Sequence, residues 1–508
     1  MAKILSGTVI GIDGCVVEVE VDITHGLPSF CTVGLPETTV KESKDRVKAA
    51  INNSGYNFPS DRITVNLAPA DVRKSGTNFD LPIAIGILCA KGLINKEACK
   101  NFLIIGELSL NGMVRPVKGV LPITICAKEM GLKGVILPFE NAAEASVVDG
   151  IEIFPIQHLS DAVEFLAGSK NIMPVKKEDN LIDTELEWDI DLQDVKGQEN
   201  AKRALEIAVA GAHNILMIGP PGSGKTMLAK RIPTIMPPMS FEEALETTKI
   251  YSVTGLLPKT EALIRKRPFR APHHTISDVG MAGGGHPPRP GEISLATNGV
   301  LFLDELPEFK RNVLEVLRQP LEEGTITVTR AGITVTYPAR FMLVAAMNPC
   351  PCGYFGDRFH QCTCSMGQIQ RYRAKISGPL LDRIDIHVEV PSVSYRELSC
   401  PEVGPSSKEV LERVTQARKI QQDRFKGLGI NTNSEMKPSH IKKFCKLDKP
   451  SQQLLRDAVE NLGISARAYS KILKIARTIA DLDSSPEIKI DHVAEAIQFR
   501  ILDRKMLW

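Results

Sequence analysis

Residues Gly219-Pro220-Pro221-Gly222-Ser223-Gly224-Lys225-Thr226 have the types and spacing of a phosphate-binding loop. The glycines let successive backbone N–H groups turn inward around a β-phosphate. Lys225 then reaches the β- and γ-phosphates, and the Thr226 hydroxyl is placed to ligate Mg²⁺. About 80 positions downstream, Gly299-Val300-Leu301-Phe302-Leu303 is an apolar run that ends in Asp304-Glu305, a Walker B pattern. Asp304 is expected to hold the Mg²⁺ through water, and Glu305 to orient and deprotonate an attacking water. The two motifs together predict binding and hydrolysis of ATP with Mg²⁺.

Both motifs need strands and helices to carry them. Asn214-Ile215-Leu216-Met217-Ile218 reads as a short buried strand before the loop, and Met227 to Ile232 as a helix after it, whose N-terminus favours phosphate. Residues 189–391 alternate such strands and helices, which predicts an α/β core on a parallel sheet. Residues 1–165 alternate strand-like and helix-like segments of their own, among them 14–21, 40–54, 63–67 and 81–93. Residues 166–188 are rich in Lys, Glu, Asp and Asn and read as a linker. Pro401 to Ser407 reads as a second loop, and the chain beyond 392 as a small helical lid. There apolar residues recur with a helical period at Tyr469, Ile472, Leu473, Ala476, Ile479 and Leu482. Asp491 is expected to cap a last helix running through Val493, Ile497 and Ile501.

Composition narrows the classes. With 508 residues, 43% hydrophobic and 24% charged, the chain reads as about three ordinary globular domains. A net charge of +2 provides no global field for nucleic acid, so any basic surface is local. The five lysines between Lys437 and Lys449 form the densest basic stretch, which a solvated helix face explains equally well. The start lacks a long apolar stretch and no run of 18 apolar residues occurs, so neither a signal peptide nor a membrane span is expected. Eleven cysteines in such a chain fit a reducing cytoplasm.

Three further positions extend the ATPase pattern. Phe341 to Met347 is a buried-strand run ending at Asn348, where a sensor-1 residue would hold the lytic water between the Walker strands. Ser377 to Asp385 resembles the arginine-finger segment of the magnesium-chelatase and replicative-helicase branch of AAA+ ATPases. Arg383 is there the residue that would reach a neighbouring subunit's γ-phosphate. Arg467, in the first turn of a helix opened by Ser465, matches the sensor-2 arginine of that branch.

With these motifs the chain is identified as a member of the YifB/ComM family of magnesium-chelatase-like AAA+ ATPases over essentially its full length. Added support comes from Arg267-Pro268-Phe269-Arg270-Ala271-Pro272-His273-His274, Pro290 to Ala296 and Asn348-Pro349-Cys350-Pro351-Cys352-Gly353. The histidine pair is read as part of a turn-rich structural insert rather than as metal ligands. The resemblance implies a hexameric ring, and an arginine acting on a neighbour requires such a head-to-tail interface.

Cys350, Cys352, Cys362 and Cys364 form two C-x-C pairs with nine residues between them. Four thiolates so close could bind Zn²⁺ tetrahedrally, although C-x-C is tighter than the usual knuckle. Four reduced thiols are the competing reading. Near the N-terminus, Lys74 to Pro82 and Gly106 to Val117 resemble a Lon-type protease domain. Such peptidases need a serine nucleophile and a lysine base. Here Asn78 occupies the serine position and Leu121 the lysine position, so a Lon-like α+β fold without peptidase activity is expected. Ser75 and Lys74 lie nearby but point to opposite faces if extended.

What the engine moves is less determined. The family resemblance points to a DNA motor, a branch-migration helicase in recombination or natural transformation. Thr325 to Thr336 reads as a hairpin turning at Ala331-Gly332, with Arg330 near its tip as a phosphate contact or simply a solvated side chain. The alternative is a chelatase-type or protein-remodelling ATPase that does not act on DNA. An ATP-dependent protease is disfavoured by Asn78 and Leu121, and a non-catalytic regulator by Glu305, Asn348 and Arg383.

Overall fold

Two sheets organise the chain in the computed structural model, which describes all residues except 36, 75, 176–186, 259–260, 331–332, 400–403, 463 and 501–508. Ser75, residues 176–186 of the expected linker, the Ala331-Gly332 turn, the start of the 401–407 loop and Ile501 therefore lie outside the described residues.

The first sheet has seven strands in the order Ser29–Val33, Arg62–Ala68, Asp13–Thr24, Ala2–Ile10, Phe102–Ile104, Gly134–Pro138 and Glu152–Ile156. Alternation builds its centre: Val17, Val19 and Val21 are wholly buried, while the glutamates between them are not. Ala2–Ile10 pairs antiparallel with this strand along its full length. Helix Asp80–Ala90 lies on both strands and is buried on nearly every side, as its unbroken apolar sequence requires. Its single acid, Asp80, is joined by the Arg46 guanidinium at 2.7 and 3.0 Å.

The second sheet has five parallel strands in the order Phe269–Arg270, Val300–Leu303, Met342–Met347, Ile215–Ile218 and Ile386–Glu389. Its three central strands are buried along their whole length, so helices must cover both faces. Helices Glu199–Gly211, Lys225–Ile235 and Ser407–Phe425 cover one face, and the lid helices Ala466–Leu482 and Ile490–Gln498 continue the same hydrophobic core. The opposite face packs against Met281, Ile293, Leu306, Phe309 and the hairpin Thr325–Arg330 with Ile333–Pro338.

The last helix starts differently from the sequence expectation. It begins at Ile490 with Lys489 in the cap position, and Asp491 lies inside its first turn. The Asp491 charge still meets the favourable end of the helix dipole there, without capping it. Among the described residues no helix is long and apolar enough to cross a membrane.

The two sheet units are joined by a shared core. Leu121, Val147 and Val148 from the first meet Met239, Ala244, Leu263 and Ile264 from the second. The Gly119 N–H donates to the Ser252 carbonyl at 3.1 Å, and Lys118 Nζ to the Thr254 carbonyl at 3.3 Å. Leu121 is fully buried, and its N–H donates to the carboxylate of buried Glu144 at 3.0 Å. A second acid at that point would have neither water nor a cation. Leu121→Asp should therefore lower the stability of the joined units by on the order of 3 kcal/mol in a denaturation series, against less than about 1.5 kcal/mol for Leu121→Met. Equal stability of the Asp variant and the parent would show that this contact does not hold the units together.

Candidate functional site

The C-terminal ends of the five parallel strands lie along one edge, and the phosphate-loop residues are built there. Gly222 and Gly224 have φ of +76° and +93°, left-handed values that glycine adopts without strain. Gly219 needs the absence of a side chain for another reason: a Cβ there would stand 2.0 Å from the Val390 carbonyl oxygen. Its N–H donates to the Met347 carbonyl at 3.2 Å, tying the loop to the neighbouring strand. Gln198 braces the loop from outside, donating to the Ser223 and Pro391 carbonyls at 3.0 and 2.6 Å.

Helix Lys225–Ile235 starts at the loop's end, so Lys225 and Thr226 occupy its first turn. Lys225 Nζ donates to the Gly219 and Pro220 carbonyls at 2.7 and 2.8 Å and lies 3.3 Å from Asn348 Oδ1. Burial pushes its ammonium down to about 8, against the pull of the Asp304 charge. The Thr226 hydroxyl donates to Asp304 Oδ2 at 2.7 Å, so the two expected Mg²⁺ ligands already touch. Asn348 follows the Met342–Met347 strand, which lies between the strands carrying Gly219 and Asp304. Lys225, Thr226, Asp304 and Asn348 are thus brought into one group. Glu305 adjoins it with φ of +54°, uncommon for a side chain of its size. Its carboxylate is 54% exposed and lies 3.2 Å from His274 Nδ1.

The two arginines make their contacts elsewhere. Arg383 and Asp385 precede the strand Ile386–Glu389, at the opposite edge of the sheet from the phosphate loop. Asn214 marks that edge: it donates from Nδ2 to the Arg383 carbonyl at 3.2 Å and from its N–H to Asp385 Oδ2 at 3.2 Å. From Asn214 to Gly219 the extended chain spans about 16 Å. The Arg383 guanidinium donates to the Pro379 carbonyl at 2.6 Å and pairs with Glu322. Arg467, 68% exposed, stands 3.6 Å from Asp382 at the same edge.

One turn along from Arg467, Lys471 Nζ lies 3.0 Å from Asp385 Oδ1. Burial alone would raise the Asp385 carboxyl, but Lys471 and His213 outweigh it and hold the group far below the usual carboxylate range. Burial conversely lowers the His213 imidazole. This clamp between lid helix and sheet was not read from the sequence, because nothing local connects positions 213, 385 and 471. The sequence likewise places His274 in a turn-rich insert. Its contact with Glu305 follows only from the pairing of Phe269–Arg270 beside Val300–Leu303. The neighbouring motifs do have a structural role: Arg270 forms a two-pronged pair with Glu292, both bonds 2.7 Å.

Directly after Asn348 the four cysteines converge, their sulfurs all within 4.8 Å of one another. Cys350, Cys352 and Cys362 sulfurs are 3.3, 3.7 and 3.6 Å apart. A tetrahedral Zn²⁺ with bonds of about 2.3 Å needs sulfurs about 3.8 Å apart, so the donor set fits. Backbone N–H groups point at the sulfurs, Phe355 to Cys350 at 3.3 Å and Cys364 to Cys362 at 3.4 Å, as thiolates require. The amides of Tyr354 and Thr363 bring the Cys352 thiol down to about 5, while burial and the neighbouring thiols outweigh the backbone amides at Cys362 and Cys364 and push those two up. The turn between the pairs sits against the phosphate loop. Gly353, at φ +90°, is so close to Pro221 that a Cβ would be 2.7 Å from its Cδ. Asp357 closes the turn, accepting from the Ser392 hydroxyl at 2.6 Å and from the His360 N–H at 2.9 Å.

Residues 191–398 match a family profile described as magnesium chelatase, subunit ChlI. Residues 19–141 match subunit ChlI of Mg-chelatase, and residues 404–500 its C-terminal part. The chain is 45% identical to competence protein ComM of Haemophilus influenzae, over 99% of this chain and 98% of that one. It is 44% identical to YifB of Escherichia coli, over 98% of this chain and 96% of that one. A stretch of 166 residues, 30% of each chain, is 32% identical to Lon protease 2 of Bacillus subtilis.

The buried Lys225 yields a measurable signature. With its ammonium near 8, about half is neutral at pH 8, and a phosphate anion beside it restores the charge. Above the last ionisation of the ADP phosphates, binding of ADP should therefore take up about a quarter of a proton at pH 7.5 and about three quarters at pH 8.5, measured by calorimetry in buffers of different ionisation enthalpy. Equal uptake at both pH values would show that Lys225 does not meet the phosphates.

Proposed function

Because the chain belongs to the YifB/ComM family of magnesium-chelatase-like AAA+ ATPases, we propose that it is an ATP-hydrolysing ring motor that acts on DNA as a branch-migration helicase. The observation that carries this reading is the meeting of Lys225, Thr226, Asp304 and Asn348 at one edge of the sheet, with Glu305 beside them. The backbone of Gly219 to Gly224 and Lys225 would cradle the phosphates, and Thr226 and Asp304 would hold Mg²⁺, which offsets phosphate charge. Glu305 takes the proton of the attacking water, and Asn348, beside Lys225, orients that water.

Arg383 and Arg467 at the opposite edge are too far away to serve their own chain's loop. A head-to-tail neighbour would receive both, and such an interface closes into a ring, here a hexamer. The regions proposed are a Lon-like domain in 1–165, a linker in 166–188, the ATPase core in 189–391 and the lid in 392–508. A cytoplasmic location accords with this activity.

The DNA reading rests on the likeness to a competence protein and on the hairpin Thr325–Arg330 with Ile333–Pro338. Arg330 is exposed next to its tip, and its outer face carries the paired hydroxyls of Thr327–Thr336 and Thr329–Thr334. Six copies of one weak phosphate contact sum to useful affinity. A chelatase-type or protein-remodelling motor would use the same engine on another substrate. For the cysteine cluster we propose a structural Zn²⁺ that fixes the turn between Asn348 and Pro221.

ATP hydrolysis should rise when single-stranded, duplex or four-way-junction DNA is added, and Glu305→Gln should lower kcat by about 100-fold or more with nucleotide binding retained. Hydrolysis indifferent to all three DNAs would remove the helicase reading and leave the other motors. Metal analysis should find one zinc per chain. Cys352→Ser with Cys362→Ser should abolish it and weaken ATP turnover several-fold through the loosened turn. Protein purified without chelator and lacking zinc would exclude the metal.

A further inference from the structure

His274 belongs to neither nucleotide motif, yet it lies on the side chain expected to activate water. The strand Phe269–Arg270 runs parallel to Val300–Leu303, with Arg270 beside Leu301. The chain leaving Arg270 therefore travels alongside the chain leaving Leu301. Four residues further along each, His274 faces Glu305, and Nδ1 stands 3.2 Å from Oε2. The approach is fixed at its root, because the Arg270 guanidinium is held by both oxygens of Glu292. The imidazole has ring neighbours as well: the His273 ring lies 4.0 Å from it, and the Phe309 ring stands nearly perpendicular to it at 6.4 Å between centroids.

The Glu305 backbone is equally constrained. Its N–H donates to Asp304 Oδ1 at 2.9 Å, and its carbonyl accepts from the Glu308 N–H at 2.8 Å. What remains adjustable is the half-exposed carboxylate, a long side chain with several rotamers. A general base must stand within hydrogen-bond reach of the water it deprotonates, and an error of 1 Å costs on the order of 100-fold. Among the described residues, clustered metal-type donors are found at the four cysteines and not at the histidine pair. A metal role for His274 therefore has no partner set there.

We propose that His274 is a positioning residue for the water-activating carboxylate: its Nδ1–H holds Glu305 Oε2 in the orientation used for hydrolysis. This rests on the ATPase reading. Among the described residues the polar contact of His274 is with Glu305, and its other ring contacts are with His273 and Phe309, so its effect passes through Glu305. Loss of the imidazole then slows the hydrolytic step and leaves nucleotide binding alone. An asparagine, whose amide N–H stands close to the place of Nδ1, preserves part of the function.

The test is steady-state ATP hydrolysis by the full chain as His274→Ala, His274→Asn, Glu305→Gln and the His274→Ala/Glu305→Gln pair, with binding of a fluorescent ADP analogue and melting curves alongside. His274→Ala should lower kcat about 10-fold with KM and ADP binding within about 2-fold. His274→Asn should recover at least part of the loss. In the Glu305→Gln background the histidine change should have no further effect, because a residue acting through Glu305 has nothing left to position. Wild-type turnover in His274→Ala, a loss confined to KM, or an undiminished loss in the Glu305→Gln background would each overturn the proposal. A parent chain that hydrolyses no ATP, or a Glu305→Gln chain as fast as the parent, would instead remove the ATPase reading itself.

Discussion

The register of three parallel strands is the constraint on which the site depends. Met342–Met347 lies between Ile215–Ile218 and Val300–Leu303, with Ile218 beside Met347 and Leu303 beside Ala345. Parallel strands deliver their following loops to one edge, so Gly219, Asp304 and Asn348 meet without any contact between their sequences. Because these strands are apolar on both faces, side-chain alternation does not fix their alignment. Polar contacts at the ends do. Asn214 Oδ1 accepts from the Leu343 N–H at 2.8 Å at one edge, and the Gly219 N–H donates to the Met347 carbonyl at the other. A slip of one residue would lose both and separate Asn348 from Lys225.

The same sheet separates the chemistry into two edges. One edge gathers Lys225, Thr226, Asp304 and Asn348. The other carries Arg383, Arg467 and the buried Asp385, about 16 Å away along the strands. Asp385 joins Lys471 of the lid to Asn214 and His213 of the sheet, so the helix bearing Arg467 is fastened beside the segment bearing Arg383. The lid shares its hydrophobic core with the sheet, which makes the two arginines parts of one rigid edge rather than of a loose appendage. Within the chain Arg383 pairs with Glu322 and Arg467 stands near Asp382; the ring proposal adds that a neighbouring copy would draw on both.

Local patterns were legible in the sequence, and long-range pairings were not. The phosphate loop, the acid-terminated strand and the strand before Asn348 carry their meaning within ten residues, and the structure sets them side by side. The four cysteines were also legible, because the turn between the pairs closes over a short span. His274 on Glu305 and Lys471 on Asp385 depend on which strands and helices become neighbours, which no single segment records. Asp491 lies inside the first turn rather than at the cap for a local reason: an acid in a first turn and an acid capping it give the same pattern, and Lys489 takes the cap position here.

The Lon-like unit shows how one position can change its use. A lysine base needs a polar opening toward substrate, but residue 121 faces the core that joins the two sheet units, beside Ile125 and against Ala244 and Met239. Leucine fills that place without a charge to satisfy, and its N–H anchors the buried Glu144 carboxylate. At the other position, the Asn78 amide donates to the Gly7 carbonyl, a bond that ties helix Asp80–Ala90 to the first strand. Neither residue can attack or transfer a proton to a peptide, and each secures a contact instead. The unit is docked on its neighbour by the same residues: contacts from Gly119, Lys118 and Leu121 fasten it to the helix Phe241–Thr254, which leads toward the strand preceding His274.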